Sequence, residues 1–207
     1  MSGEATEREP SPARSKSDGE AVPRKFSTAR RESERAASQG RLALRNEYVP
    51  TLIVRNRQRA RPLNTKFLRD IVRALLVDEL FRDEFEIGVS IIGEAAMTRM
   101  NEGHLQHKGS TDVITFDYTD ASRPNCLAGE IFICLDEAFA QAPRFRVTWQ
   151  NEMVRYIVHG ILHLSGYDDK TAAARRKMKR EENWLMRRAD KRFRLHHVKA
   201  NHARRRR

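Results

Sequence analysis

His159-Gly160-Ile161-Leu162-His163-Leu164-Ser165-Gly166-Tyr167-Asp168-Asp169 reads as the end of an apolar helix, a glycine-led bend and a pair of acids. On a helix, residues four apart lie one above the other, with Cβ atoms roughly 5–6 Å apart. The rings of His159 and His163 can therefore close on one metal ion. Gly166 permits a left-handed C-cap, so the chain can fold back and bring Asp168 or Asp169 within reach as an oxygen ligand. Two imidazoles and a carboxylate, with a fourth position left to water, is the layout of a catalytic rather than a closed structural site.

The stretch upstream supplies the rest of that helix. Thr148 is an expected N-cap, and Met153, Val154, Ile157, Val158, Ile161 and Leu162 cover most of the circumference, so a helix from about Trp149 to Leu164 should be central and buried. Before it, Thr51–Val54, Phe85–Ile92, Val113–Phe116 and Gly129–Cys134 read as strands. Helices are expected after the cap at Asn64 or Thr65, from Glu94 to Glu102, and from Asp136 until Pro143 interrupts. His104 to Ser110 reads as a loop. Thr171 should cap a last helix through about Phe193, with Met178, Leu185, Ala189 and Phe193 facing inward. The order argues an α+β fold, one small mixed four-stranded sheet covered by helices.

His159 to Asp168 closely resembles the H-G-x-L-H-L-x-G-Y-D-H signature of the YbeY-type endoribonucleases, bacterial ribosomal RNA maturation factors. Asn101, Thr111-Asp112-Val113-Ile114-Thr115-Phe116 and Gly129-Glu130-Ile131 are similar to further segments of that family, in the same order. The resemblance covers about residues 48–190. It implies His159, His163 and, by register, Asp169 as ligands of one zinc ion, other divalent transition metals being compatible with the donor types. Asp169 stands where the family usually has a third histidine. Leu105 stands where it typically has an active-site arginine. The nearby Lys108 is the expected substitute cation for a phosphate, although without arginine's fork. Asp112 and Glu130 are expected either to orient a ligand histidine as hydrogen-bond acceptors or to cap turns and pair with arginines on the surface.

Composition agrees with a polyanionic partner. Lys and Arg number 40 against 28 Asp and Glu, a formal charge of +12 over 207 residues. Cys126 and Cys134 have no disulfide-framework or zinc-ribbon spacing and read as free thiols of the cytoplasm. No run approaches a membrane span. Residues 1–46 read as a disordered polar tail, 47–193 as the domain, and 194–207 as a basic C-terminal tail. The expected function is a single-strand-specific, metal-dependent endoribonuclease acting on ribosomal RNA, with RNA and the ribosomal subunit as partners. The alternative is a non-catalytic, ribosome-associated assembly factor with a structural metal. A zinc peptidase of the H-E-x-x-H type is disfavoured because position 160 is Gly, where that mechanism needs its glutamate base.

Overall fold

In the computed structural model, residues 48–200 are described. Four strands, β1 (Thr51–Asn56), β2 (Phe85–Ile92), β3 (Val113–Asp117) and β4 (Leu127–Cys134), form one sheet in the order β1-β2-β4-β3. β1 and β4 run parallel to β2, and β3 pairs antiparallel with β4, so the sheet is mixed. Parallel neighbours need a crossover, and α1 (Thr65–Ala74) supplies the first one. Asn64 caps α1 by accepting from the Phe67 N–H at 3.0 Å, as its sequence position suggests. The helix then widens into a π-helical turn over Leu75–Glu79.

The side chains of β4 alternate between two environments. Leu127, Ile131 and Ile133 join the main core with α1, α4 (Trp149–Leu164) and α5 (Ala172–Arg192), whereas Phe132 and Cys134 join a smaller cluster with Ile92, Met97 and Ile114. α2 (Glu94–Met100) covers that second cluster through Met97. α4 crosses the main face so closely that two glycines are required. A Cβ on Gly160 would stand 2.6 Å from Ile131 Cγ2, and one on Gly129 would stand 2.5 Å from both Leu164 Cδ2 and the Phe116 carbonyl oxygen. As expected, α4 is buried along nearly its whole length and Thr148 caps it.

Three expectations are corrected. Pro143 does not stop α3 (Leu135–Phe145). It lies in the last turn, where only one internal hydrogen bond is forfeited, and the helix ends two residues later with Arg146 in the left-handed region at φ 55°. The loop expected from His104 begins later, because a π-helical turn spans Asn101–Leu105. Buried Asn101 fastens the segment after that turn by donating to the Gly109 carbonyl at 2.9 Å. Finally, the expected basic tail does not begin at 194. Leu195–Val198 form a 3-10 turn with Leu195 and Val198 buried, and Lys199 bridges to Leu63. Two apolar residues among the cations suffice to dock it. The expected tails over 1–46 and 201–207 lie outside the described residues.

Candidate metal centre

The bend after α4 is a Schellman cap. Gly166, at φ 83°, donates to the His163 carbonyl at 2.9 Å, and Tyr167 donates to that of Leu162 at 3.0 Å. The reversal aims the Tyr167 carbonyl at His163 Nδ1, 3.1 Å away. A carbonyl can only accept, so Nδ1 carries the proton and Nε2 presents a lone pair. His159 repeats the logic: its Nδ1 lies 3.2 Å from the Glu182 carboxylate, which turns its Nε2 outward as an acceptor.

Those two Nε2 atoms face each other at 3.1 Å. When both rings are neutral with their protons on Nδ1, the two Nε2 lone pairs oppose each other, an arrangement that a shared cation relieves. Two nitrogens held by a tetrahedral zinc at 2.0–2.1 Å stand about 3.3 Å apart, close to the separation found. The Asp169 carboxylate lies 4.0 Å from His159 Nε2, and the three donor atoms all fall within 4.8 Å of one another. The residues thus fit a divalent ion, with Asp169 standing slightly wide. Asp168 is otherwise engaged, since its carboxylate accepts from the backbone N–H groups of Asp169 and Lys170 and pins the bend. Burial, with His159 adding to it, holds the His163 imidazole below its ordinary range. Protonation, the competitor to metal binding, is thereby disfavoured.

Glu182 was not among the residues singled out by sequence. It is 4 % exposed and accepts from His159, Arg155 and Lys179, the last at 2.7 Å. Burial by itself raises its carboxyl pKa, but the bonds from those three residues prevail and hold it at about 2. A signal existed: Glu182 falls between Met178 and Leu185 on the inward stripe of α5, where an acid needs partners.

Asp112 and Glu130 part company. Asp112 lines an open cavity of about 500 Å³ together with His159, Arg155, Lys179 and Glu182. Its carboxylate accepts from Thr111 and from the Val113 N–H, so it braces the entry to β3 rather than a ligand ring. Glu130 sits on the other face of the sheet. Its Cγ lies 3.2 Å from where a Cβ of Gly88 would be, while its neighbours Gly129 and Ile131 are the ones that touch α4. Glu130 does not face the two histidines, and Glu182 holds the acceptor role expected of it. Lys108 is exposed and outside the cavity lining. The same cavity is walled by Glu152, which is 3 % exposed and whose Oε2 has no hydrogen-bond partner. Burial pushes the Glu152 carboxyl up, against the pull of Arg155 and Lys179.

A small α+β domain whose buried helix and following bend converge two imidazoles and a carboxylate on one point has the donor set of a mononuclear metallohydrolase centre. The family model described as "Endoribonuclease YbeY" matches residues 53–190, and the chain belongs to that family. Among curated relatives, the Endoribonuclease YbeY of Chlorobium luteolum is 37% identical over 105 residues, covering 50% of this chain and 74% of that one. That of Salinibacter ruber is 29% identical over 143 residues, covering 66% and 90%. A solution structure from Thermotoga maritima superposes with a TM-score of 0.52 at 21% identity, over 70% of this chain and 93% of the other, and supports the fold.

Proposed function

We propose that this protein is a metal-dependent endoribonuclease that cleaves single-stranded RNA during ribosomal RNA maturation and ribosome assembly. The observation that carries the reading is the pair of proton-fixed imidazoles at 3.1 Å with Asp169 beside them. His159, His163 and Asp169 would hold the ion, and zinc suits their donor types. A metal so held polarises a phosphoryl oxygen and acidifies bound water.

This chain's own residues do the remaining work. Glu182 and the Tyr167 carbonyl fix the ring orientations. Arg155 and Lys179 line the cavity beside His159 and offer remaining N–H donors to a phosphate. Lys108 is retained as an exposed cation outside the cavity, and Asp112 as a brace of its wall. Gly160 abuts the sheet, so no general base can project from that position, which argues for phosphodiester over peptide hydrolysis. The chain's charge of +12 suits RNA. No helix among the described residues is long and apolar enough to cross a membrane, and the cytoplasm is the compartment we propose.

One feature favours a second reading, that of an assembly factor with a structural metal. Leu105 stands where the resemblance implies an arginine, and both cations beside His159 are already paired with Glu182. The test measures bound metal and cleavage of single-stranded RNA for wild type and His163→Ala. Cleavage lost together with metal upholds the nuclease. Metal bound by the wild type without cleavage, RNA affinity being intact, overturns it in favour of the factor.

A further inference from the structure

α5 buries Met178, Glu182, Leu185, Met186 and Ala189 against the core. At 100° per residue, the direction opposite those positions is occupied by Arg176, Arg180, Arg187 and Lys191, all within an arc of about 60°. All four are exposed, and none has an ion-pair partner among the described residues. The ridge is about 22 Å long at 1.5 Å per residue and has no acid on it. Neighbouring cations of α5 differ in this respect: Arg188 is paired with Glu79, Arg192 with Asp78 and Lys179 with Glu182.

Like charges spaced i, i+4 weaken a helix, as 176/180 and 187/191 must here. A solvated face has no use for that arrangement, because alternating signs would keep it equally soluble and more stable. Three of the four are arginines, weakly hydrated and suited to phosphate oxygens. Single-strand platforms need aromatic faces on which bases stack. Trp184, the ring nearest this arc, is half-buried and lies 5.9 Å under the Arg188 guanidinium, so the ridge offers charge without stacking. A straight, rigid cationic ridge suits a backbone that is itself rigid and regularly charged.

We infer that the outer face of α5 is a docking surface for the phosphate backbone of double-stranded RNA, separate from the cleft that takes the strand to be cut. This rests on the nuclease reading for its choice of polyanion. It assigns the enzyme a second contact with structured RNA flanking a single-stranded target.

The test uses the full chain and the variant R176Q/R180Q/R187Q/K191Q, glutamine being a good helix former. Binding of a 20-base-pair RNA duplex is followed by fluorescence anisotropy across a salt series. Each phosphate contact contributes about 0.9 to the slope of log K against log salt on a duplex, so the variant should lose about 3–4 units of slope. The charge-keeping variant R176K/R180K/R187K should retain most of it, which separates lost charge from lost fold. Cleavage of a short single-stranded oligonucleotide should be unchanged in both. An unchanged duplex slope in the glutamine variant overturns the inference. So does a loss confined to single strands, or binding of anionic vesicles or an acidic protein but not of duplex. Absence of all cleavage by the wild type sinks the nuclease reading and leaves the slope comparison standing.

Discussion

Ile131 and Gly160 meet across the interface of sheet and central helix: a Cβ on Gly160 would stand 2.6 Å from Ile131 Cγ2. The residue between the two ligand-bearing turns of α4 must therefore be glycine for the helix to lie against β4. Gly160→Ala gains helix propensity worth up to ~1 kcal/mol but overpacks a fully buried contact at a cost of about 1–3 kcal/mol. A net loss results, seen as a melting temperature lower by roughly 2–6 °C. In Gly160→Ala/Ile131→Ala the two losses should be less than additive, because Ile131 Cγ2 is then gone. A melting temperature at or above wild type for the single variant would show that α4 is not pressed on the sheet.

Glu182 makes the second prediction. Replacing it by Gln keeps the shape but weakens the acceptor that fixes His159, removes the counter-charge of Lys179 and leaves Arg155 only its longer pair with Glu152. Metal affinity should fall about 10–100-fold in chelator competition, in line with other outer partners of metal-bound histidines. The same change at Glu130 should leave affinity unaltered, because that carboxylate lies on the opposite face. Equal losses from both would contradict the placement described.

Asp169 stands in the direction of both Nε2 atoms. Asp169→His should retain the ion, since imidazole is an equally good ligand, whereas Asp169→Ala should reduce bound metal well below one equivalent. Asp168→Ala should loosen the bend without removing the ion, because its carboxylate is spent on backbone N–H groups. Metal analysis of the three purified variants decides this.

Most of this architecture is legible in the residues themselves. Apolar periodicity and the caps at Asn64, Thr148 and Thr171 delimit the helices, and β-branched runs delimit the strands, because those signals are local. His159 and His163 come from one contiguous run and needed no long-range information, whereas that run left Asp168 and Asp169 both open and the family register pointed to Asp169. Glu130 shows where such reading stops: its segment is right, but the face it points to depends on which side of β4 receives α4. Glu182 shows the converse, since its partners on α4 are brought to it only by helix packing. Leu195 and Val198 were hidden by the cations around them.

Those two residues give another prediction. Ending the chain after Phe193 removes Leu195 and Val198 and uncovers the apolar surface they bury. Burying side chains of this kind is worth about 1.5–3 kcal/mol each, so the shortened chain should melt roughly 6–24 °C lower.

Glu152 carries the pH dependence. Its carboxyl is raised by burial above the ordinary 4.5. A raised acid binds its proton more tightly in the folded state, so it favours folding at low pH, and that contribution is lost as pH rises through the folded value. Its charged form is costly to bury, because Oε2 has no hydrogen bond and only the 3.8 Å ion pair with Arg155 to offset desolvation. Glu152→Gln should raise the melting temperature at pH 7 by roughly 2–4 °C, the size of about 1 kcal/mol. The gain should shrink as pH approaches 4.5. A gain constant with pH would mean that packing, not ionisation, is responsible.

The three ligand-bearing residues all fall within the single stretch from His159 to Asp169, so closing the loop between them costs little chain entropy even before the sheet exists. An unfolded or half-synthesised chain would already grasp an ion there. Part of the ion's affinity is then expressed toward the denatured ensemble as well, and saturating metal should raise thermal stability less than its dissociation constant alone suggests. The ion would serve here as an early guest of the chain rather than the keystone of its fold.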